Sequence, residues 1–218
     1  MTRDRFNKKI ETEERIIENM GQIIQEILSE IISVLQKKDL SVEKVNEILD
    51  KESQLDKLSL QVEQLCIETI ALHQPMGVDL REIISIIKIS SDLERIGDHT
   101  RKIIRKLRKV IMMHDFDNFN VLAEMTIILR QMVDQIIIAF LEKNLELTNN
   151  TLLLDHQIDE IQRSLFNNMI AKIKKSTDEE TVSSEIYLLF ITRFLERIGD
   201  HVQNIGERII YLTTGQYI

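Results

Sequence analysis

Proline occurs once in 218 residues, glycine six times and tryptophan not at all. So few turn formers argue against a many-stranded fold and favour long uninterrupted helices. Cys66 is the only cysteine, which excludes a disulfide within the chain and fits a reducing compartment. No run of about 18 apolar residues occurs, so no membrane span is expected. The opening "MTRDRFNKKIETEER" likewise has no apolar signal core. Positive charge is also short: 28 Lys and Arg face 36 Asp and Glu, for a net charge of −8. That balance argues against nucleic acid as the main partner, because phosphate binding needs a basic surface. The expectation is a soluble, cytoplasmic protein whose hydrophobic content, 43%, suffices for a sizeable core.

What is present is helical periodicity, almost from end to end. A first apolar stripe runs from Ile16 to Leu35. "KKDLSVEKV" breaks it, with Ser41 as the N-cap of a second helix reaching about Leu72. Pro75 and Gly77 in "HQPMGVD" stop that helix, and a third is expected over 78–112. After a break at "HDFDNFN" the plan returns, with helices expected over 121–147, 152–174 and 182–212. The segments "TNN" and "KSTDEET" separate them. The expected fold is all-α: six long helices forming two tandem, duplicated three-helix bundles, residues 1–113 and 114–218. No Pro-, Gly- or Ser-rich linker separates the halves, so they should pack firmly together.

The heptapeptide "LERIGDH" stands at 93–99 and again at 195–201. Glu94 and Asp98, like Glu196 and Asp200, are four apart, which puts both carboxylates on one helix face. A second acidic-x-x-x-Asp pair lies in the preceding helix of each half: Glu52 with Asp56, and Asp155 with Asp159. In an antiparallel hairpin, residues equidistant from the turn lie level. Glu52 with Asp98, and Asp56 with Glu94, are each centred on Pro75. Asp155 with Asp200, and Asp159 with Glu196, are each centred in the "KSTDEET" break. Four acids per half should therefore stand level, on helices about 8–10 Å apart.

Clustered carboxylates must take up protons or gather cations. Oxygen-only clusters suit hard cations such as Mg²⁺, Mn²⁺ or ferric iron. One such pair alone would be an ordinary solvated surface feature; four level pairs on a duplicated motif are not. Gly97 and Gly199 inside helices point to close helix packing or to room beside the backbone. His99 and His201 follow the motif about 100° around the helix and should face elsewhere. A carboxylate-bridged di-iron oxidase or iron-storage bundle is the alternative reading. Such sites use Glu-x-x-His, which this chain lacks. No nucleotide loop or nucleophile–base order is present either, so catalysis is not expected.

The motif-bearing segments "DLERIGDHTRKI" at 92–103 and "FLERIGDHVQNIGERI" at 194–209, with "HQPMGVDLR" at 73–81, resemble the PhoU family of phosphate-transport regulators. The resemblance spans nearly the whole chain. It implies a non-enzymatic negative regulator of phosphate uptake and phosphate-starvation signalling. The implied partners are the ATPase subunit of an ABC phosphate transporter and a PhoR-type sensor histidine kinase. A homo-oligomer, a dimer, is expected, at the inner face of the membrane as a peripheral protein. Metal cations (iron, zinc, manganese or magnesium) are implied at Glu52, Asp56, Glu94, Asp98, Asp155, Asp159, Glu196 and Asp200. Asp79, after the Gln-Pro turn, and Asn204 and Glu207, after the second motif, join this set. The first copy departs, with Lys102 and Arg105 where the second has Asn204 and Glu207. The second half should therefore bind metal more tightly. The basic run Arg101, Lys102, Arg105, Lys106, Arg108 and Lys109 suits a helix C-terminus, or a docking patch for an acidic partner.

Overall fold

The computed structural model describes residues 3–113 and 117–216. These residues form seven helices and no strand: α1 (Arg3–Lys37), α2 (Val42–His73), α3 (Val78–Met112), α4 (Phe119–Glu142), α5 (Leu145–Leu153), α6 (Asp155–Lys175) and α7 (Glu179–Thr214). The six long helices expected from the sequence are all there, and α5, of nine residues, is an addition.

Local chemistry sets the boundaries. The apolar stripe of α1 opens earlier than Ile16, because Phe6 and Ile10 are buried on the same face as Ile17. The Ser41 hydroxyl caps α2 by accepting from the Lys44 N–H at 3.2 Å. At the far end of α2, Gln74 turns left-handed, and its N–H closes on the Ile70 carbonyl at 2.9 Å. Gly77, with φ of 60°, then redirects the chain into α3 through a conformation that side chains disfavour. His114, Asp115 and Phe116 of the expected "HDFDNFN" break, and the unit boundary after residue 113, lie at or outside the limits of the described residues.

One break is displaced. "TNN" at 148–150 is not a loop but the middle of α5. The chain turns instead at Lys143, with φ of 52°, and the Asn144 side chain caps α5 by accepting from the Leu147 N–H. Thr148 and Thr151 stay helical because their hydroxyls bond back to the carbonyls of Asn144 and Leu147, each at 2.8 Å.

The most extensive packing runs between the copies, where α3 lies antiparallel to α7, Lys109 meeting Tyr187 at one end and Arg81 meeting Tyr211 at the other. Helix α1 packs on α4, α2 and α3, while α6 flanks α7 and α4. The duplicated motif sets this register. Leu93, Ile96 and Ile103 of α3, and Leu195, Ile198 and Ile205 of α7, are fully buried in one continuous core. The motif acids Glu94, Asp98, Glu196 and Asp200 are thereby turned towards α2 and α6. No described helix is long and apolar enough to cross a membrane.

Candidate metal centre

Each acid feels the charge of its expected partner across the hairpin. Between α2 and α3, Asp98 acts on the charge of Glu52 and Asp56 on that of Glu94. Between α6 and α7, Asp200 acts on Asp155 and Asp159 on Glu196. In each half burial is the main cause that raises the carboxyl pKa values, and the neighbouring carboxylates add to it. Glu52, Glu94, Asp155 and Glu196 all lie above their ordinary values for this reason.

The halves differ in what answers that charge. In the first, Arg101 turns inward and pairs with both carboxylates of a level pair. Its Nη1 lies 3.1 Å from Glu52 Oε1, and its Nη2 is ion-paired with Asp98. Glu52 is only 4% exposed, so the guanidinium answers a nearly buried charge. Arg95 reaches Glu94 at 3.5 Å and Asp98 at 3.4 Å, and Lys102 lies 4.0 Å from Asp98. Arg101 thus stands between the two level acids of this half.

In the second half the position equivalent to Arg101 is Gln203, which is neutral. Its amide donates to the Leu152 carbonyl at 3.0 Å, where α5 ends. Arg193 pairs with Glu196, and Arg197 with Asp200 at 3.0 Å; both arginines are about half exposed. Among the described residues, Glu196 Oε2 is buried with no hydrogen-bond partner; Glu52 Oε1 of the first half has none either, but is ion-paired with Arg101. Gly199 lets Asp155 lie against the backbone of α7: a Cβ there would stand 2.8 Å from Asp155 Oδ1. An orphaned buried carboxylate oxygen beside three more acids fits a hard cation. No three Asp, Glu, His or Cys side chains among the described residues stand as a ready coordination shell. A cation would have to draw these carboxylates together.

Other expected ligands are placed elsewhere. Asp79, in the first turn of α3, is ion-paired with Arg3. It lies fifteen residues before Glu94 on the same helix, about 22 Å along the axis, and so outside the cluster. Asn204 is turned across the seam, where its amide donates to Asp92 Oδ1 at 3.2 Å. Glu207 is exposed. His99 and His201 turn away from the acids, as expected, and meet at the seam with ring centroids 5.4 Å apart. His201 Nδ1 lies 2.9 Å from Asp92 Oδ1, while His99 stacks on Phe194. Burial, with Lys102 nearby, pushes His99 down to about 4.

The basic run does not form one patch. Arg101 joins the acids, and Lys102, Lys106 and Lys109 lie over the rings of Phe194, Phe190 and Tyr187 of α7. Arg105 and Arg108 are exposed. Sequence reasoning missed the inward role of Arg101. Its signal was the spacing, three residues after Asp98 on the face that carries the acids. It also missed Asp92, which no periodicity distinguishes from a surface acid.

The PhoU domain matches this chain twice, over residues 17–107 and 122–209. The phosphate-specific transport system accessory protein PhoU homolog of Clostridium acetobutylicum is 29% identical, covering 100% of this chain and 98% of its own. The protein of the same description from Aquifex aeolicus is 31% identical, covering 98% and 94% respectively. Among solved structures, PhoU from Pseudomonas aeruginosa superposes with a TM-score of 0.90 at 25% identity, over 97% of this chain and all of that one. The phosphate transport system regulatory protein PhoU from Streptococcus pneumoniae gives 0.84 at 28% identity, over 98% and 99%.

Proposed function

The chain belongs to the PhoU family, and from that membership we propose that it is a non-enzymatic regulator of phosphate uptake and phosphate-starvation signalling. It acts as an accessory protein to a phosphate-specific ABC transporter, through the ATPase subunit, and couples that transporter to a sensor histidine kinase. The observation that carries this reading is the doubled PhoU match, with relatives of that description aligned over the full chain.

The residues that would hold a multivalent cation are Asp155, Asp159, Glu196 and Asp200. Such a cation would neutralise these acids and tie α6 to α7. The chain's own groups prepare for this. Gly199 gives Asp155 its close position on α7, and Glu196 keeps one carboxylate oxygen buried and unpartnered. The break at Leu154 starts α6 at Asp155, with Gln203 holding the end of α5.

The test is genetic. Deleting the gene should derepress a phosphate-starvation reporter in phosphate-rich medium, and the wild-type chain should restore repression. A chain with Glu196→Gln and Asp200→Asn should restore it less well, at equal protein level. A reporter unchanged by the deletion would sink the proposed function.

A further inference from the structure

The two acid sites arise from one duplicated sequence, yet they differ at the position that answers their charge. We infer that Arg101 is a tethered counter-cation that closes the α2–α3 acid site to multivalent metal. The copies have thereby diverged: one carries its own positive charge, and the other takes it from solution. The first statement stands on the α2–α3 geometry alone. The second rests on the reading of the α6–α7 acids as a cation site.

Arg101 spans the hairpin: it hydrogen-bonds Asp98 of α3, and its guanidinium stands 3.1 Å from Glu52 Oε1 of α2 as an ion pair without a hydrogen bond. These are the two level acids that a bridging metal would have to share. A guanidinium suits this role because its charge is permanent and its fork of donors can engage two carboxylates at once. It is tied to the backbone of α3, so it does not dissociate. A metal ion could enter only by displacing it, and would then meet a positive charge about one side-chain length away. Lys102, 4.0 Å from Asp98, and Arg105, which also acts on Glu52, add to the barrier.

The equivalent positions in the second copy are Gln203, Asn204 and Glu207, with no cation among them. Arg197 is matched by Arg95, so that cation is common to both copies and does not distinguish them. Two basic residues are found only in the second site: Arg193, which is 46% exposed and pairs with Glu196 on its own helix rather than across the hairpin, and His156, which adjoins Asp155 in sequence and acts on its charge. The difference therefore concentrates at Arg101 and Gln203. The sequence assigned the asymmetry to Lys102 and Arg105, and the geometry adds Arg101 to them.

Reciprocal exchange tests this in the full chain. Mn²⁺ binding is measured by equilibrium dialysis with elemental analysis, and by the Mn²⁺ paramagnetic resonance signal. Wild type, Arg101→Gln, Asp200→Asn, Gln203→Arg and the double variant Arg101→Gln/Asp200→Asn are compared. Arg101→Gln should gain a class of sites absent from the wild type, and the double variant should keep it. Gln203→Arg should bind at least about tenfold more weakly at the second site, with its helical circular dichroism unchanged. Arg101→Gln that folds but gains no Mn²⁺ overturns the inference, as does Gln203→Arg that binds like the wild type. If Arg101→Gln does not fold, the Gln203→Arg arm decides. A wild type that binds no Mn²⁺, beside an Arg101→Gln variant that does, would support the role of Arg101 and reject the α6–α7 reading. No binding by either chain would reject both.

Discussion

Glu196 shows how a single side chain reports on the site it lines. Burial raises its carboxyl from the ordinary 4.5, and Asp200 adds to this, against the opposing pull of Arg193 and Arg197. A carboxyl raised in the folded state favours the protonated form. Its contribution to stability is therefore full below the ordinary value and is lost as pH rises through the folded one. At pH 8, without metal, the ionised Glu196 is a cost. Metal-free Glu196→Gln should thus melt higher than metal-free wild type at pH 8, and the advantage should fade as pH falls towards 4.5. Adding Mn²⁺ should reverse the order, because only the wild type keeps the carboxylate that a cation neutralises. Melting curves in chelator and in Mn²⁺ check both signs. A variant less stable than wild type at pH 8 in chelator would show that Glu196 is already well compensated.

Helix limits were legible around the second helix, where a cap and two breakers stand together. Ser41, Pro75 and Gly77 fixed the limits of α2 and the start of α3. Two features were not legible, for different reasons. The start of α1 was hidden because Phe6 and Ile10 sit among charged residues, with Glu13 buried in the same stripe. The α4–α5 break was misplaced because Thr and Asn were read as loop formers. The threonine hydroxyls are satisfied by the helix backbone, and the true break depends on a left-handed Lys143, a conformation that composition does not reveal. The cap has an energetic consequence. Asn144→Ala removes the acceptor of the Leu147 N–H and should cost about 1 kcal/mol in urea unfolding. A loss below about 0.3 kcal/mol would mean that α5 is held by packing alone.

At the scale of the molecule, duplication explains what the sequence disclosed. Hairpin symmetry brought each acid to its level partner, because only the turn position and the helical rise were needed. The seam between α3 and α7 was not disclosed, since nothing in one copy says how it meets the other. The partner of Arg101 was missed for a related reason. An arginine beside an acidic motif reads as surface charge until the facing helix is in place. The same duplication makes the divergence of the two sites measurable in one crystal. Anomalous scattering from crystals soaked in Mn²⁺ tests the assignment most directly. The expected result is a manganese peak between α6 and α7, against Glu196, Asp200, Asp155 and Asp159, and none between α2 and α3. A peak between α2 and α3, with none beside Glu196, would contradict it.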